Sequence, residues 1–291
     1  YLRMSPSSKD CPNLMAIRRK SLDSYAKLKN IAARDDSVLA DKIAQLIIWF
    51  SLKKKDLSEE DKSRLDSSLV EVYKRYGITF DNSTIVDENG NFRTMPILSD
   101  WYEILYQEQD TRHLAVVLSR YVTGSAAAMA GRNDIELNNK YIVLDLSGMP
   151  DDMIADGTFW ATSIAYDLIM NCEDELSALL ADEVWSLVGA TANPQAAGFV
   201  LEMVKTIRGL GGIAVTSTQG MQDLFSLEGG SYGKGILDSS RIKLVMQMEE
   251  QEARLIQDKL NLSEDEVRQI ARFRRGEGLL CIGYNHVPIA F

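Results

Sequence analysis

No stretch of these 291 residues approaches the roughly eighteen consecutive apolar residues that a membrane-crossing helix requires. Cysteine is scarce. Cys11, Cys172 and Cys281 are the 3 present, far apart and odd in number, which argues against a disulfide framework and for a reducing compartment. The 2 histidines, His113 and His286, have no cysteine or histidine at ligand spacing and leave little room for a zinc site. Positive charge is also short, with 32 Lys and Arg against 42 Asp and Glu and a net charge of -10. That balance speaks against indiscriminate wrapping of nucleic acid, though a local basic loop stays open. A secretory leader is not legible, since Tyr1-Leu2-Arg3-Met4 runs directly into a polar, proline-containing segment. Nor does the chain start with methionine, and its opening residues read as the middle of a longer polypeptide. What remains is an ordinary globular composition, 45% hydrophobic and 25% charged, at a length that suits one large domain or two of ordinary size.

Residues 1 to 20, with Ser5-Pro6-Ser7-Ser8 and Cys11-Pro12-Asn13, read as irregular. From about Asp36 to Gly131 the pattern is helical. Leu39, Ile43, Leu46, Ile47 and Phe50 recur at three- and four-residue steps, and Lys53-Lys54-Lys55 suits the helix C-terminus. Ser58-Glu59-Glu60-Asp61 resembles a capping box ahead of Leu65, Leu69, Val72 and Tyr76, with a stop at Gly77. Trp101, Ile104 and Leu105, then Leu114, Val117, Leu118 and Tyr121, mark a further helical pair. After Gly131 strands alternate with helices. Tyr141 to Leu146 reads as a strand buried on both faces, and Asp151 to Met170 as a long helix. Strands at Leu179 to Ala181, Ile213 to Ser217, Ile242 to Met246, Leu279 to Gly283 and Val287 to Phe291 follow, with Ser263 capping a helix through Ile270. This predicts an α/β domain with a mainly parallel sheet and helices on both faces, interrupted by an all-α subdomain. The expected divisions are residues 1–35, 36–131 and 132–291.

The chemistry centres on Leu179-Leu180-Ala181-Asp182-Glu183-Val184-Trp185. An apolar run that ends in two adjacent carboxylates is how a buried strand delivers acids to the carboxyl edge of a parallel sheet, a Walker B pattern. In that role Asp182 holds magnesium through its water shell and Glu183 polarises the water that attacks the γ-phosphate. The alternative is a strand end with two solvated acids. Gln219, at the end of the next strand, suits a γ-phosphate sensor, or is a polar strand cap. Arg208, at the end of the intervening helix, suits an arginine inserted into a neighbour's site, or is a solvated helix-end charge. Arg272-Phe273-Arg274-Arg275 forms a second cationic cluster, and such clusters are more often surface or salt-bridged faces than catalytic. The phosphate cradle, Gly, four residues, Gly-Lys and Ser or Thr, is missing. Gly229-Gly230-Ser231-Tyr232-Gly233-Lys234-Gly235 fails at both ends of that pattern and reads as a flexible loop. Gly124 to Gly131 lacks the lysine.

Three segments together carry a resemblance: Asp182-Glu183-Val184-Trp185-Ser186-Leu187, Thr218-Gln219-Gly220-Met221-Gln222-Asp223-Leu224, and Phe273-Arg274-Arg275-Gly276-Glu277-Gly278-Leu279-Leu280. In order and spacing they resemble the C-terminal motor domain of the largest conjugative-transfer ATPase, the fourth VirB component of type IV secretion systems, within the HerA and FtsK group. Pro12-Asn13-Leu14-Met15-Ala16-Ile17 is similar to that family's asparagine-containing segment. The resemblance implies a RecA-like P-loop fold binding ATP and magnesium. It implies a cytoplasmic homo-oligomeric ring or dimer, peripheral to the membrane, that partners channel and coupling proteins and energises pilus assembly or substrate transfer. It assigns Asp182 and Glu183 to Walker B, Gln219 to the sensor, Arg208 to the neighbour's site, and Arg274 and Arg275 to the nucleotide. The family's P-loop would lie upstream of Tyr1, so these residues are expected to hydrolyse little ATP alone. A scaffold of the same fold without turnover, and a DNA-pumping translocase, are the alternatives.

Overall fold

The computed structural model describes residues 1–17, 37–89, 91–131, 135, 137, 139–169, 176–183, 185–189 and 193–291. Part of the expected opening segment, and Cys172, lie outside them. The chain divides into two compact units, one of Tyr1–Leu179 with Gly209–Ile213 and the other of Leu180–Arg208 with Ala214–Phe291.

In the first unit, β1 (Leu2–Arg3) pairs in parallel with β2 (Leu144–Asp145). The chain then enters α1 (Val38–Ser51), whose apolar stripe buries Leu39, Ile43, Leu46, Trp49 and Phe50. α2 (Glu59–Arg75) starts on the expected capping box. Ser58 Oγ accepts from the Asp61 amide at 3.0 Å, and an Asp61 carboxylate oxygen accepts from the Ser58 amide. It ends at Gly77, whose φ of 76° lies in the left-handed region. α3 (Leu98–Gln107) and α4 (Arg112–Val122) bury Trp101, Leu105, Leu114, Leu118 and Tyr121 against them. α5 (Ile154–Ile169) follows a 3₁₀ turn at Asp151–Met153 and adds Phe159, Trp160 and Ile164. The centre of this core is aromatic, with Phe50 and Trp101 rings 5.6 Å apart and Trp49 edge-on to Tyr121 at 5.2 Å. Asn13 is buried here as a structural clamp, its Nδ2 donating to the Pro96 carbonyl at 2.8 Å and its Oδ1 accepting from the Met15 amide at 3.0 Å.

β3 (Ser177–Ala181) and β4 (Gly212–Thr216) form a two-stranded sheet. Between them, α6 (Pro194–Thr206) is started by Asn193, whose Oδ1 accepts from the Gln195 amide at 2.8 Å, with proline at the first turn. In the second unit, α7 (Ser231–Ser239) precedes β5 (Ile242–Met246). α8 (Glu250–Leu260) and α9 (Glu264–Ile270) then lead to β6 (Glu277–Ile282) and β7 (Asn285–Ala290). The capping box at Ser263 is formed with Glu266. Ala253, Ile256, Val267, Ile270 and Phe273 pack against Val245, Leu279 and Cys281 on one face of this sheet.

Three expectations are corrected. The sheet order β5-β6-β7 is antiparallel throughout, not part of a mainly parallel sheet. For β6 and β7 the cause is local: Gly283, at φ 61°, and Tyr284 make a two-residue turn that returns the chain directly, as only antiparallel neighbours allow. The strands expected to be buried on both faces are not. Among the described residues, strand pairing at Tyr141–Leu146 is confined to Leu144–Asp145; Tyr141 is 83% exposed and Leu180 in β3 is 72% exposed. A two-stranded sheet leaves one face uncovered. The Gly229–Gly235 stretch is ordered, a 3₁₀ turn at Leu227–Gly230 followed by α7. A Cβ on Gly233 would stand 2.1 Å from the Leu224 carbonyl oxygen, and one on Gly235 would stand 2.8 Å from Leu201 Cδ1. Those glycines serve close packing and not a phosphate.

Candidate active site

The acidic pair stands at the end of β3. Asp182 is exposed, and its Oδ1 accepts from the Glu183 amide at 3.0 Å and from the Ser217 hydroxyl. The Ser217 amide donates to the Ala181 carbonyl at 3.0 Å, so the ends of β3 and β4 are held together just where the carboxylate emerges. Glu183 has φ 54°, the left-handed region that a residue with a side chain seldom occupies. This turns the chain out of the strand into the short helix Trp185–Val188, and the Ser186 amide donates to the Glu183 carbonyl at 3.1 Å.

Ser217 is the residue sequence reasoning missed. A serine at a strand end has no pattern of its own, and only its place opposite Asp182 reveals its role. Gln219 lies two residues further on, exposed, in the segment that leaves β4. Arg208 is exposed in the 3₁₀ turn Ile207–Leu210 that ends α6. Arg274 and Arg275 are exposed in the turn between α9 and β6, where the Arg274 amide donates to a Glu277 carboxylate oxygen at 2.8 Å. The structure thus joins Asp182 to Ser217, and places Arg208 on one exposed turn and Arg274 and Arg275 together on another.

Among the described residues no three His, Cys, Asp or Glu side chains converge to form a metal cage. A lone exposed carboxylate held by a serine and an amide suits magnesium, which keeps its waters and takes its remaining ligands from substrate phosphates. The residues therefore fit one half of a nucleotide site, the acidic half. The cradle for the phosphates is not in this sequence.

No family model and no curated protein sequence matches the chain. Solved structures do. VirB4 of Thermoanaerobacter pseudethanolicus matches it with a TM-score of 0.84 and 28% identity, over 100% of this chain and 76% of that one. The chain is VirB4-like. The bacterial conjugative coupling protein TrwBdeltaN70 matches with a TM-score of 0.55 and 12% identity, over 100% of this chain and 72% of that one. TrwB in complex with the non-hydrolysable GTP analogue GDPNP matches with a TM-score of 0.52 and 12% identity, over 99% and 73% of the two chains. At that identity TrwB speaks for fold alone. The chain thus shares its fold with VirB4 and, more distantly, with TrwB. Among the described residues no helix is long and apolar enough to cross a membrane.

Proposed function

We propose that the chain forms the Walker B and sensor portion of an ATP-hydrolysing motor domain of a type IV secretion or conjugation ATPase, energising pilus assembly or substrate transfer. The observation that carries this reading is the acidic pair Asp182-Glu183 at the end of β3, with Asp182 fastened to β4 by Ser217, in a fold shared with VirB4. In the complete site Asp182 would face magnesium through its waters. Glu183 would accept a proton from the attacking water, and Gln219 would orient that water against the γ-phosphate. Arg208, exposed at the end of α6, would reach the site of a neighbouring subunit in a homo-oligomer, and Arg274 and Arg275 would face the nucleotide. Water would form the new bond to the γ-phosphorus of ATP while the bond to the β,γ-bridging oxygen breaks, releasing ADP and inorganic phosphate. The 291 residues contain no phosphate cradle, so turnover belongs to a polypeptide that also carries one. Its place would be the cytoplasmic face of the channel, with channel and coupling proteins as partners.

The test is magnesium-dependent ATP turnover by the natural polypeptide carrying these residues, compared with its Asp182→Asn variant. Turnover that falls at least about a hundred-fold in a folded variant supports the motor. Absence of turnover in the natural, assembled protein overturns it in favour of a scaffold of the same fold.

A further inference from the structure

The packing of α1 on α5 carries a buried ion pair on either side of an aromatic contact. Lys42 Nζ lies 2.6 Å from Asp167 Oδ2, with side chains only 5% and 15% exposed, and Gln45 Nε2 reaches Asp167 Oδ1 at 3.3 Å. Just past the other end of α1, Lys53 Nζ lies 2.6 Å from Asp156 Oδ1, at 9% and 11% exposure. The spacing is matched. Lys42 and Lys53 are eleven residues apart, as are Asp156 and Asp167, running in opposite directions. Trp49 follows Lys42 by seven residues, Trp160 precedes Asp167 by seven, and their rings meet edge-on at 5.9 Å. All three contacts therefore belong to one antiparallel register.

That register is not the cheapest way to join two helices. Buried ion pairs seldom add net stability over apolar side chains of the same size, and removing one partner is strongly destabilising. Gln45 Oε1, Trp49 Nε1 and Ser163 Oγ are also buried without a hydrogen-bond partner among the described residues, and Lys53 Nζ meets Asp156 in ion-pair contact without hydrogen-bond alignment. What such a seam does offer is discrimination. A one-turn slip in one direction sets Lys42 against Ser163 or Ile164, and in the other sets Lys53 against Phe159 or Trp160. Either leaves a buried lysine without its carboxylate.

We propose that the two lysine–aspartate clasps are a register lock that makes α1 and α5 one rigid body. Tyr121 in α4 joins the same body, because its hydroxyl donates to Asp156 and its ring lies 5.1 Å from Lys53 Nζ. The helical segment then follows α5 as a lever, without a hinge at that seam. The inference is independent of nucleotide chemistry.

The clasps are about 16 Å apart along the helix, far enough that unrelated substitutions would add. The experiment compares urea midpoints of the protein and its Lys42→Met, Lys53→Met and doubly substituted forms. A lock predicts that either loss releases the register, so the double form loses clearly less than the two single losses combined. Additive losses overturn the proposal. The exchanged pair Lys42→Asp with Asp167→Lys guards against a single variant that does not fold. It should regain most of the midpoint lost by Lys42→Asp alone, and failure to do so also overturns the lock.

Discussion

The Ser217 hydroxyl donates a hydrogen bond to Asp182 Oδ1, while the Ser217 amide bonds the carbonyl of the residue before that aspartate. One residue just past β4 thereby fixes both the backbone and the carboxylate at the end of β3. A carboxylate that must receive a hydrated cation benefits from such an anchor, since a freely rotating one loses conformational entropy when it binds.

Ser217→Ala should leave the fold intact and raise the magnesium concentration needed for half-maximal ATP turnover by about ten-fold. Ser217→Thr, which keeps the hydroxyl, should restore it. A magnesium titration of turnover reads both, and an unchanged requirement in the alanine variant would remove Ser217 from the site.

Gly233 and Lys234 make a second pair of expectations. A methyl group on Gly233 meets the Leu224 carbonyl oxygen, so Gly233→Ala should cost about 2 kcal/mol in urea unfolding despite its better helix propensity. Lys234 is exposed on α7, and Lys234→Met should leave nucleotide affinity unchanged. A large loss of affinity would mean that this lysine does serve a phosphate.

Burial pushes the Lys53 ammonium down to about 8 from its ordinary 10.5, against the upward pull of Asp156 and with Arg120 adding to the fall. The Tyr121 hydroxyl is pushed up from 10.0, first by burial and then by Asp156, with Asp152 adding and Arg120 opposing. Between about pH 8 and 10 the unfolded chain keeps a Lys53 proton that the folded protein gives up, so this group makes stability rise with pH. Above about pH 10 the folded protein keeps the Tyr121 proton that the unfolded chain loses, and stability falls. Lys53→Met should abolish the rise, worth at most about 3 kcal/mol, and leave the fall. Urea midpoints at half-unit steps of pH would show it. A profile unchanged by the substitution would contradict the assignment.

Much of this was legible in the sequence wherever the determinants are local. Ser58 and Ser263 start helices because a hydroxyl and an acid three residues on satisfy amides within one turn, and both boxes are formed. The stripe from Leu39 to Phe50 likewise fixed a helix face. Strand pairing is not local. Tyr141–Leu146 has the composition of a strand, yet among the described residues strand pairing is limited to Leu144 and Asp145, with Leu2 and Arg3. The glycines at 233 and 235 misled for a related reason, since their neighbours, Leu224 and Leu201, lie outside the motif. At the candidate site the acidic pair was legible as a strand end, but Ser217 was not, and neither was the pairing of Lys42 with Asp167 across more than a hundred residues.

If Glu183 activates water for ATP hydrolysis, a single substitution with little change in shape removes that function. Glu183→Gln in the natural, assembled polypeptide should bind ATP and magnesium as tightly as the parent, while turnover falls by about a hundred-fold or more. Turnover that persists at the parent's rate in this variant would contradict the account.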